Sequence, residues 1–370
     1  EEAKNVDSLN LRPVIQKPPF FDYEDTINSL LGIEAFVNLE YLNIGNNPIK
    51  KLDLSSNIKL NELQGYQMSL VEIKGLKNDK LAVLNLNQNH DLEIIDLTGL
   101  GNLSFLDLSY TKIGNPDFQA NKKLKELYLR KFISETVNLA PLVSLEYFSC
   151  THSEIKRLDI SKNSKLKELE TDWSPMKNVI IGKNYSLEII SVNYGVLESL
   201  DVTGAKYLKE LNCVINKLTS LKVANLQKLK YLHCGVNRLK SLDISNNTSL
   251  RGLTCYDNKL EELILKNNKS LKNMDISKNK LSKIDFDEIP NIRSIECREN
   301  LFANLTIKHP KIEVISMNGN LLLSCLDIID AKSFINISLN DMPQKIKVCV
   351  WELPFPPIDQ IIVGQIGSPN

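Results

Sequence analysis

The sequence lacks an excess of charge of either sign. Its 45 lysine and arginine residues are balanced by 45 aspartate and glutamate residues, so the formal net charge is zero. A protein that gathers nucleic acid or an anionic membrane through bulk charge needs a positive excess. We therefore expect no nucleic-acid partner, and electrostatic recognition has to be local. The sequence also lacks a run of about 18 apolar residues, which argues against a transmembrane helix.

Catalytic and metal-binding motifs are missing as well. No GxGxxG, P-loop, GxSxG, HExxH or CxxC string occurs, and the four histidines fall in different parts of the chain. Glu168, Glu170 and Asp172 form an acidic row that suits an acid and base pair or a calcium ion. Exposed carboxylates, however, lack the apolar pocket that tunes such pKa values. We expect a hydrated acidic patch or one that meets a basic partner, with no enzyme activity, metal or cofactor.

What the sequence does contain is a repeat of about 21 residues. The stretch 208–229 reads LKELNCVINKLTSLKVANLQKL, with apolar residues at positions 1, 4, 6, 11, 14 and 16 and Asn at position 9. A chain that returns to the same face at each step is a solenoid. Fourteen units begin at Leu39, Leu60, Leu81, Leu103, Leu124, Leu145, Leu166, Leu187, Leu208, Leu229, Leu250, Leu271, Ile292 and Ile312.

Each unit contains two strand-like segments. Positions 3 to 7 alternate inside and outside, which predicts a strand paired in parallel with its neighbours. A second segment, such as Leu200–Val202, points apolar side chains into the core from the opposite side, and the unit leaves no room for a helix there. The Asn at position 9 suits a buried turn, because its amide both donates and accepts hydrogen bonds.

The pattern LxxLxCxxNxLxxLDISxN resembles the leucine-rich repeat over about residues 39–320. The 21-residue form with Cys at position 6 is similar to bacterial internalin-type surface proteins. The resemblance implies a curved right-handed coil with a parallel concave β-sheet, a secreted or cell-surface location, and a protein ligand. One scaffold hosts many ligands, so the ligand has to be inferred from side chains.

The repeats divide the chain into three segments. Residues 1–38 are expected to form an extended arm and a short helical cap, in which Asp22 or Asp25 precedes Ile27, Leu30, Leu31 and Phe36 at helical spacing. Residues 39–320 form the solenoid. Residues 321–370 form a C-terminal cap with a degenerate last repeat at Phe334, Ile337 and Leu339 and a β-rich stretch at 345–353.

The chain starts with Glu1 rather than Met, which suggests a trimmed or matured protein. The missing piece of a matured protein would be a signal peptide or a lipid-anchor segment.

Five of the seven cysteines occupy position 6: Cys150, Cys213, Cys234, Cys255 and Cys297. Other units place aliphatic residues at this position, so we expect buried, unbridged thiols that pack as small hydrophobic side chains. Cys325 and Cys349 lie outside this column, and a disulfide between them stays open.

The repeat changes in five consecutive units. Position 9 is Thr111, Phe132, Ser153, Ser174 and Gly195 in place of Asn, which predicts turns of a different build that lift the position-8 side chains toward one rim. The same units concentrate aromatic and charged residues on the outer face, as binding surfaces do. The candidate ligand-binding residues are Phe105, Tyr110, Tyr128, Arg130, Tyr147, His152, Glu170, Asp172, Trp173 and Tyr194.

These features favour a monomeric, non-enzymatic module that binds a protein ligand on the concave face. Glycan binding is an alternative, because aromatic rings beside carboxylates and amides also suit sugars. A second alternative is a structural spacer that holds another domain away from a membrane.

Overall fold

The computed structural model describes residues 2–13, 26–224, 226–329, 333, 336–343 and 347–350. The chain forms two compact units, Glu1–Leu187 and Glu188–Asn370. Each unit is a parallel β-solenoid with turns of about 21 residues, as the repeat predicts. In the described part of the chain the helices are two short 3-10 turns, Glu2–Asn5 and Ile33–Ala35. None of them has the length or apolarity to cross a membrane.

Within each unit, positions 3 to 5 of successive turns form a parallel sheet, here called the main sheet. In the first unit its strands, in spatial order, are Ser8–Asn10, Tyr41–Asn43, Glu62–Gln64, Val83–Asn85, Phe105–Asp107, Glu126–Tyr128, Tyr147–Ser149 and Glu168–Glu170. In the second unit they are Ile189–Ser191, Glu210–Asn212, Tyr231–His233, Gly252–Thr254, Asn273–Asp275, Ser294–Glu296, Val314–Ser316 and Asn336–Ser338.

Strands on the opposite side of each turn, here called back strands, pair in small parallel sheets. The first unit has Lys51–Asp53 with Glu72–Lys74, and Arg157–Asp159 with Asn178–Ile180. The second has Ser199–Asp201 with Ser220–Lys222, Ser241–Asp243 with Glu262–Ile264, and the trio Asn304–Lys308, Cys325–Ile329 and Lys347–Val350. Ile337 lies in the strand Asn336–Ser338, and Lys347–Val350 lies within the β-rich stretch 345–353.

The core of each unit is a set of columns, because identical positions of successive turns lie in register. Leu42 pairs with Leu63 and Leu63 with Leu84, and all three are fully buried. Burial of one such side chain stabilises the fold by about 1.5–3 kcal/mol. A slip of one residue would turn the whole column to solvent, so the apolar pattern fixes the register.

The N-terminal cap differs from its prediction. No α-helix forms over residues 26–36, and the arm contributes an additional main-sheet strand in which Leu9 lies opposite Leu42. The side-chain amides of two repeat asparagines bind backbone groups of this segment that a helix would otherwise use. The N–H of Ile27 donates to Oδ1 of Asn47, and Nδ2 of Asn57 donates to the carbonyl of Phe36. Asp22 and Asp25 lie outside the described residues.

The position-9 asparagines form the ladder that the sequence predicts. Nδ2 of Asn237 donates to the carbonyls of Cys213 and Cys234, at 2.9 and 3.1 Å, and its Oδ1 accepts the N–H of Leu218 at 3.0 Å. One buried side chain therefore satisfies backbone groups of two turns, which would cost free energy if they lacked partners.

A second asparagine ladder, at position 19, was not predicted. Nδ2 of Asn247 donates to the carbonyls of Val223 and Leu226, at 2.9 and 3.0 Å. The other described members of this ladder are Asn57, Asn78, Asn121, Asn163, Asn184 and Asn268. The final Asn of the motif LDISxN is its sequence signal.

The position-6 cysteines are fully buried and carry free thiols, which confirms their interpretation as packing residues. Burial raises the pKa of Cys234 to about 12, so the thiol stays protonated near neutral pH. The side chain of Cys349 lies outside the described residues, so its pairing with Cys325 stays a prediction.

Candidate binding surface

The residue at position 8 has the same unusual backbone in regular and irregular turns. Its φ is positive at Tyr110, His152 and Trp173, where Asn is absent from position 9, and equally at Asn46 and Gln88, where Asn follows. Loss of the Asn therefore leaves the φ of this corner unchanged, and the lifting of the position-8 side chains toward one rim stays a prediction. The irregular turns of the first unit differ from the regular ones in the position-8 side chain, which is Tyr110, Lys131, His152 or Trp173.

Hydroxyl groups replace the missing amides inside the irregular turns of the first unit. Oγ1 of Thr111 donates to the carbonyl of Leu108 at 2.8 Å, and Oγ of Ser174 donates to the carbonyl of Cys150 at 2.9 Å. Phe132 is buried and fills the space apolarly. These substitutions keep the corner geometry constant while the residues around it vary.

Three rings on the outer face of the main sheet form a continuous stack, here called the aromatic column. The ring centroids of Phe105 and Tyr128 are 5.4 Å apart, and those of Tyr128 and Tyr147 are 5.0 Å apart. The guanidinium carbon of Arg130 lies 5.9 Å from the centroid of Tyr128. Tilted ring pairs and a cation over a ring face are both attractive arrangements. The column is half-buried, so its rings are held in place before any ligand arrives.

Carboxylates lie beside the phenolic groups of the column. Tyr147 donates a hydrogen bond of 2.6 Å to Oε2 of Glu170, and Tyr128 lies 3.3 Å from Oε2 of Glu126. Burial and then the neighbouring Glu126 raise the pKa of Tyr128 to about 12. Burial and the bond to Glu170 raise the pKa of Tyr147 further above its ordinary value. Both phenols are thus neutral hydrogen-bonding groups near neutral pH.

Two further aromatic pairs in the first unit include residues at position-8 corners. The rings of His152 and Trp173 stack with centroids 5.8 Å apart and an interplanar angle of 15°, and 53% of Trp173 is exposed. His90 contacts Tyr110 edge to face at 6.4 Å. We call these four residues the corner pairs. His90 was not among the predicted site residues. Its position directly after Asn89 places it next to the same corner, and the sequence alone shows this position.

The structure places nine of the ten predicted site residues in the first unit. The column and its polar neighbours bring together Phe105, Tyr128, Arg130, Tyr147 and Glu170. Asp172 is half-buried, and its backbone carbonyl accepts the N–H of His152 at 2.8 Å. Tyr194 lies in the second unit, at the position-8 corner of its first turn, and is 40% exposed.

No arrangement for metal binding is present in the part of the chain that the structure describes, where no three His, Cys, Asp or Glu side chains converge. The side chains of the acidic row are half-buried: Glu168 and Glu170 lie in one strand, and Asp172 lies two residues beyond its end. Glu170 accepts the hydrogen bond from Tyr147. The surface offers aromatic area, hydrogen-bond acceptors and one guanidinium, which suit non-covalent recognition.

Comparison with solved structures identifies the fold. The chain is similar to the functional domain of InlJ from Listeria monocytogenes, which includes a cysteine ladder, with 23% identity, a TM-score of 0.68 and coverage of 91% of this chain and 69% of that one. It is similar to the internalin InlF of Listeria monocytogenes, with 22% identity, a TM-score of 0.54 and coverage of 80% and 87%.

It also matches a chain in the Toll–Spätzle complex of Drosophila, with 16% identity, a TM-score of 0.63 and coverage of 84% of this chain and 51% of that one. No family model matches the chain. No curated protein sequence matches it either. At these identities the likeness shows the fold: the chain is a leucine-rich repeat solenoid of the kind found in internalins.

Proposed function

We propose that the chain is a non-enzymatic binding module of a secreted or cell-surface protein, and that it recognises a protein ligand on the outer face of the main sheet in its first unit. The observation that carries the proposal is the set of aromatic side chains on the surface of this unit. The column of Phe105, Tyr128 and Tyr147 and the exposed indole of Trp173 provide large rigid side chains of the type that dominate protein interfaces.

The packing of these rings favours binding. A side chain ordered before association loses little conformational entropy when the ligand docks, and aromatic side chains have only two rotatable bonds to fix. The stack of His152 on Trp173 and the bond from Tyr147 to Glu170 order two of the anchors. Arg130 and Asp172 add charges of both signs near the rings, which supports orientation and specificity.

Fold similarity to internalins, and to a chain of the Toll–Spätzle complex, supports a protein partner and an extracellular setting. The balanced charge supports a monomer without nucleic-acid affinity. Glycan binding and a spacer role are the competing functions. Each predicts a result that differs from that of protein binding in the experiment described next.

The test is a parallel screen of the purified chain against a panel of extracellular protein domains and a glycan array. The proposal predicts a protein hit that is lost in Tyr128→Ala and kept in the control Tyr256→Ala, which changes a tyrosine in the second unit. A glycan hit lost in Tyr128→Ala would replace the proposal with glycan recognition. Binding in neither panel would favour the spacer role.

A further inference from the structure

Five basic residues follow one another at position 2 of successive turns in the second unit: Lys209, Lys230, Arg251, Lys272 and Arg293. Their backbones form one ladder, because the N–H of Arg251 donates to the carbonyl of Lys230, that of Lys272 to Arg251, and that of Arg293 to Lys272, at 2.7–2.9 Å. Neighbouring parallel strands are about 4.8 Å apart. The side chains are therefore fixed in a row with a short, regular spacing, here called the basic edge.

Carboxylates are scarce along this edge. In the five turns that begin at Leu229, Leu250, Leu271, Ile292 and Ile312, the residues around position 1 contain seven Lys or Arg and a single acidic residue, Glu313; these segments are 227–231, 248–252, 269–273, 290–294 and 310–314. The ends of the row are neutralised, since Lys209 pairs with Glu188 and Arg293 with Glu313, at 2.6 and 3.2 Å. The middle residues of the row, Lys230, Arg251 and Lys272, make no ion pair within the described part of the unit.

Position 2 of the first unit has no such row. Lys125, Glu146 and Lys167 follow one another there, and Lys167 pairs with Glu146 at 2.6 Å. A repeat scaffold thus accepts a neutral sequence at this position, so the fold does not require the uninterrupted cations. Like charges held side by side destabilise a sheet, and this cost points to a use outside the folding of the unit.

The surface is shaped as well as charged. A depression of about 420 Å³ lies against Arg251, Lys269, Lys272, Asn291, Arg293 and Lys311. Oδ1 of Asn291 accepts a hydrogen bond of 2.6 Å from Nζ of Lys311, which directs that ammonium group toward the depression. Five cationic side chains from three turns therefore converge on one concavity in a protein with no net charge.

We propose that the basic edge binds a linear sulfated or carboxylated polysaccharide. Bound single-stranded nucleic acid is stacked on aromatic rings between the cations. No aromatic residue occurs in 248–252, 269–273 or 290–294, which surround the depression, and Tyr231 lies at the Lys230 end of the row. Membrane-surface sites pair their cations with exposed large apolar side chains, which these segments also lack, because Leu250, Leu271 and Ile292 are buried. Arginine and lysine donors in a regular row suit a chain that carries repeated sulfate and carboxylate groups.

The experiment measures binding of the whole chain to heparin, a highly sulfated linear polysaccharide, at physiological ionic strength. We expect saturable binding that weakens as salt is added, since exposed charges are screened. The double variant Arg251→Glu/Lys272→Glu should bind about 30-fold more weakly or worse. The matched control Lys222→Glu/Lys266→Glu makes the same change in net charge at exposed positions on the back of the same unit and should bind as the unchanged chain does.

Three competitor arms decide the class of ligand. Duplex DNA, polyglutamate and phosphatidylserine vesicles should each bind more weakly than heparin at equal concentration of anionic groups. Equal or tighter binding of any of them overturns the assignment to polysaccharide. Absence of heparin binding, or equal losses in the two double variants, overturns the site itself. If both double variants unfold at the same temperature midpoint as the unchanged chain, misfolding is excluded as the cause of any loss of heparin binding.

Discussion

The phenolic oxygen of Tyr147 donates a 2.6 Å hydrogen bond to Oε2 of Glu170, which lies on the neighbouring strand of the main sheet. Burial and this carboxylate raise the pKa of Tyr147, and burial with Glu126 raises the pKa of Tyr128 from 10.0 to about 12. The folded chain thus holds both phenols in the neutral form more strongly than the unfolded chain does.

The first prediction concerns alkaline pH. A group whose folded pKa is raised contributes stability that is present below its unfolded pKa and is lost as pH rises through the folded value. Tyr128 should therefore stabilise the chain fully below pH 10, and this contribution should disappear between pH 10 and about 12. Urea unfolding across this range should show a shallower loss of stability in Tyr128→Phe/Tyr147→Phe. Parallel pH profiles for the variant and the unchanged chain would contradict the assigned pKa shifts.

The second prediction concerns the cysteine column. Cys234→Ala should lower the free energy of unfolding by about 1–3 kcal/mol, because the smaller side chain leaves a void in a close-packed column. In the folded chain Cys213, Cys234 and Cys255 should resist alkylation at pH 8, since all three are buried and protonated. Mass spectrometry after labelling, with and without urea, checks this. A disulfide among the three, or rapid labelling of the native chain, would refute it.

The third prediction compares the two asparagine ladders in one turn. Asn237→Ala removes amide bonds to three carbonyls and leaves the buried N–H of Leu218 without its acceptor, so we expect a loss of about 2–3 kcal/mol. Asn247→Ala removes bonds to two carbonyls, and its Oδ1 has no partner to lose, so the loss should be smaller. Chemical denaturation measures both. Equal losses of unfolding free energy in the two variants would show that the hydrogen bond from the N–H of Leu218 to Oδ1 of Asn237 contributes nothing to stability.

The fourth prediction uses the left-handed corner. Val236 has φ of 53°, a conformation that strains a β-branched residue and suits Asn. Val236→Asn should raise the free energy of unfolding by about 1 kcal/mol, because the strain is relieved and the backbone bond from its N–H to Tyr256 is kept. Val214→Asn, on the preceding turn at position 7, is the control and should bring no gain. A loss of stability in Val236→Asn would contradict this account of the corner.

The sequence predicted the features that repeat with side chains of one chemical type. Leucine spacing fixed the register, and interchange of Cys234 with aliphatic residues at position 6 identified a packing site. The left-handed corner escaped prediction because residues as different as Asn46, Trp173 and Val236 occupy it, so composition gives no signal. A backbone hydrogen bond from its N–H to a carbonyl of the following turn, as from Asn46 to Tyr66 and from Val236 to Tyr256, holds this corner whichever side chain it carries.

The N-terminal cap escaped for another reason. The helical spacing from Ile27 to Phe36 is real, but the first repeat offers unpaired polar groups that compete for the same backbone. The strand Ser8–Asn10 has only three residues, too few for a periodic signal, and it forms because the edge strand Tyr41–Asn43 needs a partner. Within the candidate surface, residue types were predictable from sequence, whereas the contact between Phe105 and Tyr128 required the register of two strands.

The fifth prediction is the most direct test of the proposed recognition surface. Once the protein ligand is in hand, its dissociation constant should be measured for the unchanged chain, Trp173→Ala and the control Tyr256→Ala, by calorimetry with matched thermal unfolding. Trp173 is 53% exposed, so its truncation should leave folding intact. If this indole is an interface anchor, binding should weaken by about 2 kcal/mol or more in Trp173→Ala and stay unchanged in Tyr256→Ala. Equal affinity of the two variants would remove the first-unit surface as the site of recognition.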